Sequence, residues 1–171
     1  MKKTFYILFA ILISTLNFAV SQNCIPDENI TAPGVYPDPS IGLPPAVQGV
    51  YYETVISTLI PTDTTYMGFT ATVESIGIIK IIGLPNDLSW VSDSPNNYWS
   101  GGSKGCIKIS GTPTQEGSYN LGIVLDMHGK VGGMPLSMMD TVKAYTIVVG
   151  PSGIEKMQNA FSIIETYPNP A

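Results

Sequence analysis

The chain contains one histidine, His128, which stands two residues after Asp126. Residues at i and i+2 of a β-strand lie on the same face, so this carboxylate could orient the imidazole as a general base. No nucleophile stands in a recognisable setting beside the pair. Nothing singles out two carboxylates for glycoside cleavage either. We therefore predict a protein that is not an enzyme and assign no catalytic residue.

Aromatic residues are the better functional lead, because "SWVSDSPNNYWSGG" places Trp90, Tyr98 and Trp99 around a polar loop. Aromatic rings on a loop can stack on the face of a sugar or anchor a protein partner. We interpret Trp90 as the core tryptophan of the domain. Tyr98 and Trp99 are the candidate ligand-contacting residues, although Trp99 could equally belong to the core.

Metal and cofactor sites have little support. The segments "PDEN", "PDPS" and "DSPNN" offer oxygen ligands, but their spacing does not resemble that of a calcium-binding loop. No CxxC or Cys/His spacing suggests zinc. We predict no metal site and no cofactor, and leave calcium binding open.

The N-terminus has the form of a secretory signal peptide. Lys2 and Lys3 precede an apolar run from about Phe5 to Leu16, and the small-residue pattern Ala19-Val20-Ser21 follows. The run is too short to span a bilayer comfortably. We expect cleavage after Ser21, export through the periplasm to the medium or cell surface, and no stable membrane insertion afterwards.

The two cysteines, Cys24 and Cys106, are predicted to form a disulfide, because exported chains meet oxidising conditions. The bridge would close a loop of about 80 residues, worth roughly 4 kcal/mol in the chain-entropy model. The alternative is two separate buried thiols.

Charge limits the classes of partner. The full chain has a formal net charge of −5, and loss of Lys2 and Lys3 takes it to −7. There is no arginine anywhere. Nucleic acids and anionic membranes both demand clustered basic residues, so neither is an expected partner.

Strand patterns recur between residues 22 and 150, whereas helical spacing of apolar residues never persists. The clearest stretch is "GSYNLGIVLDMHG", in which Leu121, Ile123 and Leu125 should be buried. The dense apolar run "IGIIKIIGLP" predicts a strand covered on both faces. "GKVGGMPLSMMD" predicts a Gly-rich loop or mobile hairpin. About seven strands separated by turns predict an all-β, antiparallel β-sandwich.

Residues 83–121 carry a more specific pattern, "GLPNDLSW" followed by "GCIKISGTPTQEGSYNL". This resembles the immunoglobulin-like, cadherin-like or dystroglycan-like domains of bacterial surface and secreted proteins. The principal matching positions are Leu84, Pro85, Ser110, Gly111, Thr112, Pro113, Gly117 and Tyr119. The resemblance implies an immunoglobulin-like sandwich in which these residues form a structural corner between the sheets, with the Tyr119 ring turned into the core.

Two departures from that pattern concern local structure. Asp87 stands where the family has glycine, and we expect it to accept a left-handed backbone and keep the turn. Relatives with the "DSPNN" loop often carry a cysteine pair flanking the proline. The matching positions here are Ser92 and Asn97, so that local disulfide should be absent.

The C-terminal "FSIIETYPNPA" resembles the opening of the C-terminal sorting domain carried by cargo of the type IX secretion system of Bacteroidetes. Tyr167, Pro168, Asn169 and Pro170 form the sorting motif. The family's domain continues further, so we interpret the chain as a fragment or a truncated gene product. "DTT" and "DTV" also resemble Bacteroidetes O-glycosylation sites, which implies Thr64 and Thr141 as acceptors.

These observations predict four segments: a signal peptide helix at 1–21, the sandwich at 22–150, a linker at 151–160 and the start of a sorting domain at 161–171. The predicted function is that of a non-enzymatic spacer or adhesion module of a type IX secretion cargo protein. A carbohydrate-binding module using the aromatics around Trp99 is the alternative. The expected partners are the secretion machinery, through the tail, and a glycan or surface protein.

Overall fold

The computed structural model describes residues 24–152, and all regular secondary structure in that range is β. The strands are β1 (Gly34–Tyr36), β2 (Ala46–Val47), β3 (Tyr52–Leu59), β4 (Asp63–Tyr66), β5 (Phe69–Ile82), β6 (Leu88–Ser92), β7 (Tyr98–Ser100), β8 (Lys104–Gly111), β9 (Gly117–Val131) and β10 (Met134–Gly150). Three of them, β1, β2 and β7, hold only two or three residues. Seven longer strands remain, which agrees with the predicted number, although two of the predicted strands are joined in β5. Within 24–152 there is no helix long and apolar enough to cross a membrane.

The strands form two sheets that pack face to face. The first sheet has the order β1-β3-β8-β6, and the second has the order β2-β10-β9-β5-β4, with β7 also beside β5. Every pairing is antiparallel except that of β2 with β10. This is the immunoglobulin arrangement, with the A-B-E-D order in one sheet and G-F-C in the other. The prediction of an immunoglobulin-like β-sandwich is confirmed.

The core lies between the sheets and follows the period-two pattern of the strands. Leu121 and Ile123 on β9 are buried as predicted, and Leu125 is partly buried against the same core. Ile109 on β8 and Ile147 on β10 are fully buried. Alternate residues of facing strands thus supply most of the buried apolar surface, which is the main favourable term in folding.

The prediction for "IGIIKIIGLP" is wrong in two respects. The segment belongs to one long strand, β5, which also contains the preceding "FTATVES". Ile79 and Ile82 remain largely exposed, so the run is not covered on both faces. β5 keeps pairing with β9 along its length through two register irregularities, which is why the turn-like residues within it do not end the strand.

Two tight hairpins extend the second sheet. The β4–β5 turn is Met67-Gly68 and the β9–β10 turn is Gly132-Gly133, and all four residues have positive φ. Two residues with positive φ define a type I′ turn, whose twist matches that of the flanking strands. "GKVGGMPLSMMD" therefore forms a hairpin, with Val131 opposite Met134 at the start of a long ladder.

The corner predicted from the family pattern is a structural unit. Gly111 has a φ of 149°, and a Cβ there would lie 2.2 Å from the Asp87 carbonyl oxygen. Pro113 is fully buried, and Tyr119, half-buried against the core, donates its hydroxyl to the Gln115 carbonyl at 3.2 Å. A tyrosine near the start of strand F that bonds back upstream is the tyrosine corner of immunoglobulin folds.

Other members of the pattern act through turns and strand ends. The carbonyl of Pro85 accepts the N–H of Leu88, which closes the turn after Leu84. Ser110 lies on β8 opposite Ser89 of β6. Thr112 is exposed directly after β8, and Gly117 begins β9 with a φ of 151°.

Asp87 has a different role from the one expected. It does not adopt a left-handed backbone; within 24–152 only Met67 and Asn97 do so among non-glycine residues. Instead, its carboxylate accepts hydrogen bonds from the hydroxyl and the N–H of Thr114, at 2.5 and 3.3 Å. Aspartate thus joins the two halves of the motif, a role that the glycine of the family pattern could not fill.

Candidate functional site

The disulfide between Cys24 and Cys106 is present, with the two Cα atoms 6.0 Å apart. Both residues are buried, so the bridge attaches the N-terminal segment to the middle of β8. The prediction of a bridge is confirmed, and the alternative of two separate thiols is excluded. Bridges of this kind form and persist in oxidising compartments, which agrees with a location outside the cytoplasm.

Of the two alternatives left open for Trp99, a ligand contact or a core residue, the structure shows a core residue. Its side chain is only 6% exposed and belongs to the core, with the indole Nε1 donating to Asp93 Oδ1 at 2.8 Å. The ring lies against Gly105, where a Cβ would come within 2.2 Å of Nε1. Trp90, interpreted as the core tryptophan, is only partly buried, because β6 is an edge strand of the first sheet. Trp90 nevertheless packs against the same core as Trp99.

Tyr98 remains accessible and forms a cluster with the Asp126 and His128 pair. Its hydroxyl donates to Asp126 Oδ2 at 2.7 Å, and His128 Nε2 lies 3.1 Å from the same oxygen. The tyrosine and imidazole rings are 6.1 Å apart between centroids. The ring of Tyr98 lies over Gly77 of β5, where a Cβ would come within 2.4 Å of it.

Protonation in this cluster is set by hydrogen bonds. The bond from Tyr98, with a contribution from His128, holds the pKa of Asp126 below its usual value of 3.8. The same bond to the Asp126 carboxylate raises the pKa of Tyr98 above 10.0. At neutral pH the carboxylate is thus ionised and the phenol keeps its proton. Both neighbours contact the same carboxylate oxygen, Oδ2, so this carboxylate orients the Tyr98 and His128 side chains.

A shallow hollow adjoins the cluster, and we call it the Tyr98 hollow. It is lined by Ser75, Asn96, Tyr98, Ser100 and His128, together with part of Trp99. Its side chains offer hydroxyl, amide and imidazole groups beside one aromatic ring. That combination can bind a hydroxylated ligand by hydrogen bonds and ring contact.

The loop before Tyr98 lacks a local disulfide, as expected. Ser92 Oγ lies 2.7 Å from Asn97 Oδ1, so the two positions that match the cysteine pair are joined by a hydrogen bond instead. The hydroxyl also lies 2.6 Å from the Ser94 carbonyl, and with one proton it donates to only one of them at a time. Asn97 has a φ of 61°, which turns the chain into β7.

The acidic segments considered for calcium are occupied by local turns. Asp27 accepts from the backbone and side chain of Asn29, and Asp38 accepts from the backbone and hydroxyl of Ser40. Within residues 24–152, one group of three potential metal ligands has suitable spacing, namely Cys24, Asp93 and Cys106. Its two sulfur atoms are bonded to each other, so it does not form a metal centre.

Sequence reasoning missed a second surface, which we call the hairpin tip. It comprises Tyr66, Met67, Phe69, Val131, Met134, Pro135 and Leu136, which line one apolar depression. Met67 is 80% exposed, Phe69 66% and Met134 72%. Residues 64–72 and 131–139 contain no charged side chain. The lack of charge in these two segments of an acidic chain is visible in the sequence and could have indicated an apolar surface. The sequence does not show that the two segments are adjacent in the fold.

The other predicted residues are the glycosylation acceptors, the signal peptide and the sorting motif. Thr64 on β4 and Thr141 on β10 are exposed, as a glycosylation acceptor must be, and their modification stays a prediction. The signal peptide and the sorting motif at Tyr167, Pro168, Asn169 and Pro170 lie outside the described residues. Most of the predicted linker lies outside them too.

No family model matches this chain, and no curated protein is significantly similar to it in sequence.

Proposed function

We propose that this chain is an exported, non-enzymatic immunoglobulin-like module that acts in adhesion as part of a type IX secretion cargo protein. The disulfide supports an extracytoplasmic location. The immunoglobulin strand order supports a binding or spacing role, although the fold alone hosts many functions. The proposal of type IX secretion is supported by the "YPNPA" sequence.

The observation that carries adhesion is the hairpin tip. Contiguous apolar side chains are exposed there on two neighbouring hairpins, with no charge among residues 64–72 and 131–139. Large exposed apolar patches on soluble proteins mark interaction sites, because their burial against a partner is favourable. Methionine side chains adapt their shape to the surface that they meet. The expected partner is a protein with an apolar, uncharged surface.

This role is tested by measuring how well beads coated with the full chain attach to the cells that produce this protein. The variant Met67→Lys/Met134→Lys should lose attachment, because lysine must be desolvated at the contact. Ile41→Lys/Val50→Lys is the matched control, since these residues are 79% and 55% exposed but lie outside the hairpin tip. Equal attachment by all three proteins, or none by the wild type, would overturn the adhesive role.

Secretion is tested separately, by expressing the protein in the cells that produce it. Truncation after Gly150 removes the sorting motif but leaves the sandwich. The truncated protein should accumulate folded in the periplasm, detected by fractionation and by its intact disulfide. Normal export of the truncated protein would contradict the interpretation of "YPNPA".

Carbohydrate binding is the second candidate, and the Tyr98 hollow is the observation that favours it. One accessible aromatic ring stands beside serine, asparagine and histidine side chains, a suitable set for a sugar. Trp99 lines part of the hollow but is only 6% exposed, so the Tyr98 ring is the accessible one. A glycan array with wild-type chain and Tyr98→Ala is the test, with Tyr51→Ala as control, because Tyr51 is exposed elsewhere. Saturable binding lost only in Tyr98→Ala would favour this function over protein adhesion.

A further inference from the structure

An apolar cavity of about 190 Å3 lies between the two sheets. Its wall is built from both sheets and includes Val35, Ile56, Trp99, Ile123, Val142 and Tyr145. Gly34 and Val35 are its exposed members, so the cavity opens to solvent beside the edge strand β1. Protein interiors seldom leave voids larger than a water molecule, and this space is therefore unusual.

The chemistry of the wall excludes charged and strongly polar ligands. Among residues 24–152, none of those that line the cavity carries a charge. The polar groups of its two aromatic residues are already engaged, since Trp99 Nε1 donates to Asp93 and Tyr145 donates to the Pro37 carbonyl at 2.6 Å. What remains is aliphatic surface and ring faces, with Thr58 as the other polar side chain. A polar ligand would lose hydration without gaining partners.

The walls cannot readily collapse to fill the space. Cys106 in the wall is fixed by its disulfide, and Trp99 is held by Asp93 and packed on Gly105. On β10 the register shifts between Val142 and Tyr145, while Tyr145 is tied to the segment after β1. Several separate bonds therefore fix wall residues of both sheets in position.

We propose that this cavity binds a small uncharged apolar group, about the size of one aromatic ring or the end of an acyl chain. A dry apolar cavity of about 150 Å3 is large enough to take benzene, and this cavity is somewhat larger. Binding occurs inside the sandwich, and the cavity shares no lining residue with the hairpin tip and only Trp99 with the Tyr98 hollow.

The test is a titration of the full chain with benzene. Binding is monitored by the fluorescence of Trp99, in a chain that carries Trp90→Phe so that Trp99 is its one tryptophan. Trp99 lines the cavity, so occupation changes its emission. Val142→Phe fills the space, whereas Val148→Phe makes the same change on the same strand at an exposed position outside the lining. We expect saturable binding by the wild type and Val148→Phe, and at least tenfold weaker binding by Val142→Phe. A parallel titration with 1-octanol distinguishes an acyl chain from a ring as the preferred group.

Absence of saturable binding by the wild type would overturn the proposal, as would equal binding by both phenylalanine variants. If Val142→Phe does not fold, Leu125→Phe fills the same cavity from β9 and takes its place. Circular dichroism of each variant establishes folding before the titration.

Discussion

Asp93 and Trp99 form a hydrogen bond of 2.8 Å between the carboxylate and the indole nitrogen. The same oxygen, Oδ1, accepts the backbone N–H of Cys106 at 2.9 Å. One side chain thus joins the loop before β7 to the buried tryptophan and to the residue that carries the disulfide.

Substitution of Asp93 should therefore be costly. Asp93→Ala leaves the Trp99 and Cys106 N–H groups without their acceptor, and we expect a loss of about 2–4 kcal/mol in the free energy of unfolding. Asp93→Asn keeps an oxygen in place and should cost less. Denaturant unfolding of both variants provides the measurement; equal, small losses would show that the two bonds contribute little.

Loss of the disulfide should lower stability mainly through the unfolded chain. The cysteines are 82 residues apart in sequence, and the chain-entropy model gives about 4 kcal/mol for a loop of this size. The double variant Cys24→Ser/Cys106→Ser should unfold at a lower denaturant concentration. An unchanged midpoint of unfolding would show that the disulfide adds little constraint to the unfolded chain.

Truncation of a core side chain should leave a cavity. Leu121 is 1% exposed, and Leu121→Ala should cost about 2–5 kcal/mol. Val148→Ala, at a half-exposed site on the neighbouring strand β10, should cost well under this amount. Comparison of the two unfolding curves checks the assignment of the inner face. A cost for Leu121→Ala as small as that for Val148→Ala would contradict it.

High pH should destabilise the fold through Tyr145. Burial, with a smaller effect of the negative charge on Asp38, raises the pKa of Tyr145 from 10.0 to about 12. The unfolded chain releases this proton more readily, so the stability contributed by Tyr145 is present below pH 10 and is lost between about pH 10 and 12. Melting temperatures of the wild type and Tyr145→Phe across this range are the measurement. The variant should show the shallower decline, and parallel declines would exclude Tyr145 as the cause.

The fold was largely predictable because its signals are local. Leu121 and Ile123 alternate with smaller or more exposed neighbours, and the pattern around Gly111 and Pro113 defines a corner by its backbone requirements. The disulfide was predictable from export and from the presence of two cysteines. Each inference needed only a short segment or a residue count.

The surfaces were not predictable because they depend on distant residues. Trp99 is buried because Gly105 leaves room for its ring and Asp93 accepts its N–H, whereas Trp90 lies on an edge strand. The hairpin tip exists because pairing of β5 with β9 brings Ala71 opposite Val131. No local pattern states which strands become neighbours, so the order in which the strands pair decides what is exposed.

The disulfide also governs how the domain bears tension. A pull between its two ends is carried across the bond from Cys24 to Cys106, so the 82-residue span between them cannot lengthen even if its strands separate. At the other end, Ala46 and Val47 pair in parallel with Val149 and Gly150. A force that pulls the chain away at Gly150 acts along the paired strands β2 and β10. The hydrogen bonds between these strands then bear the force together instead of breaking one after another. Within the domain, extension under force is therefore confined to the chain that follows Cys106.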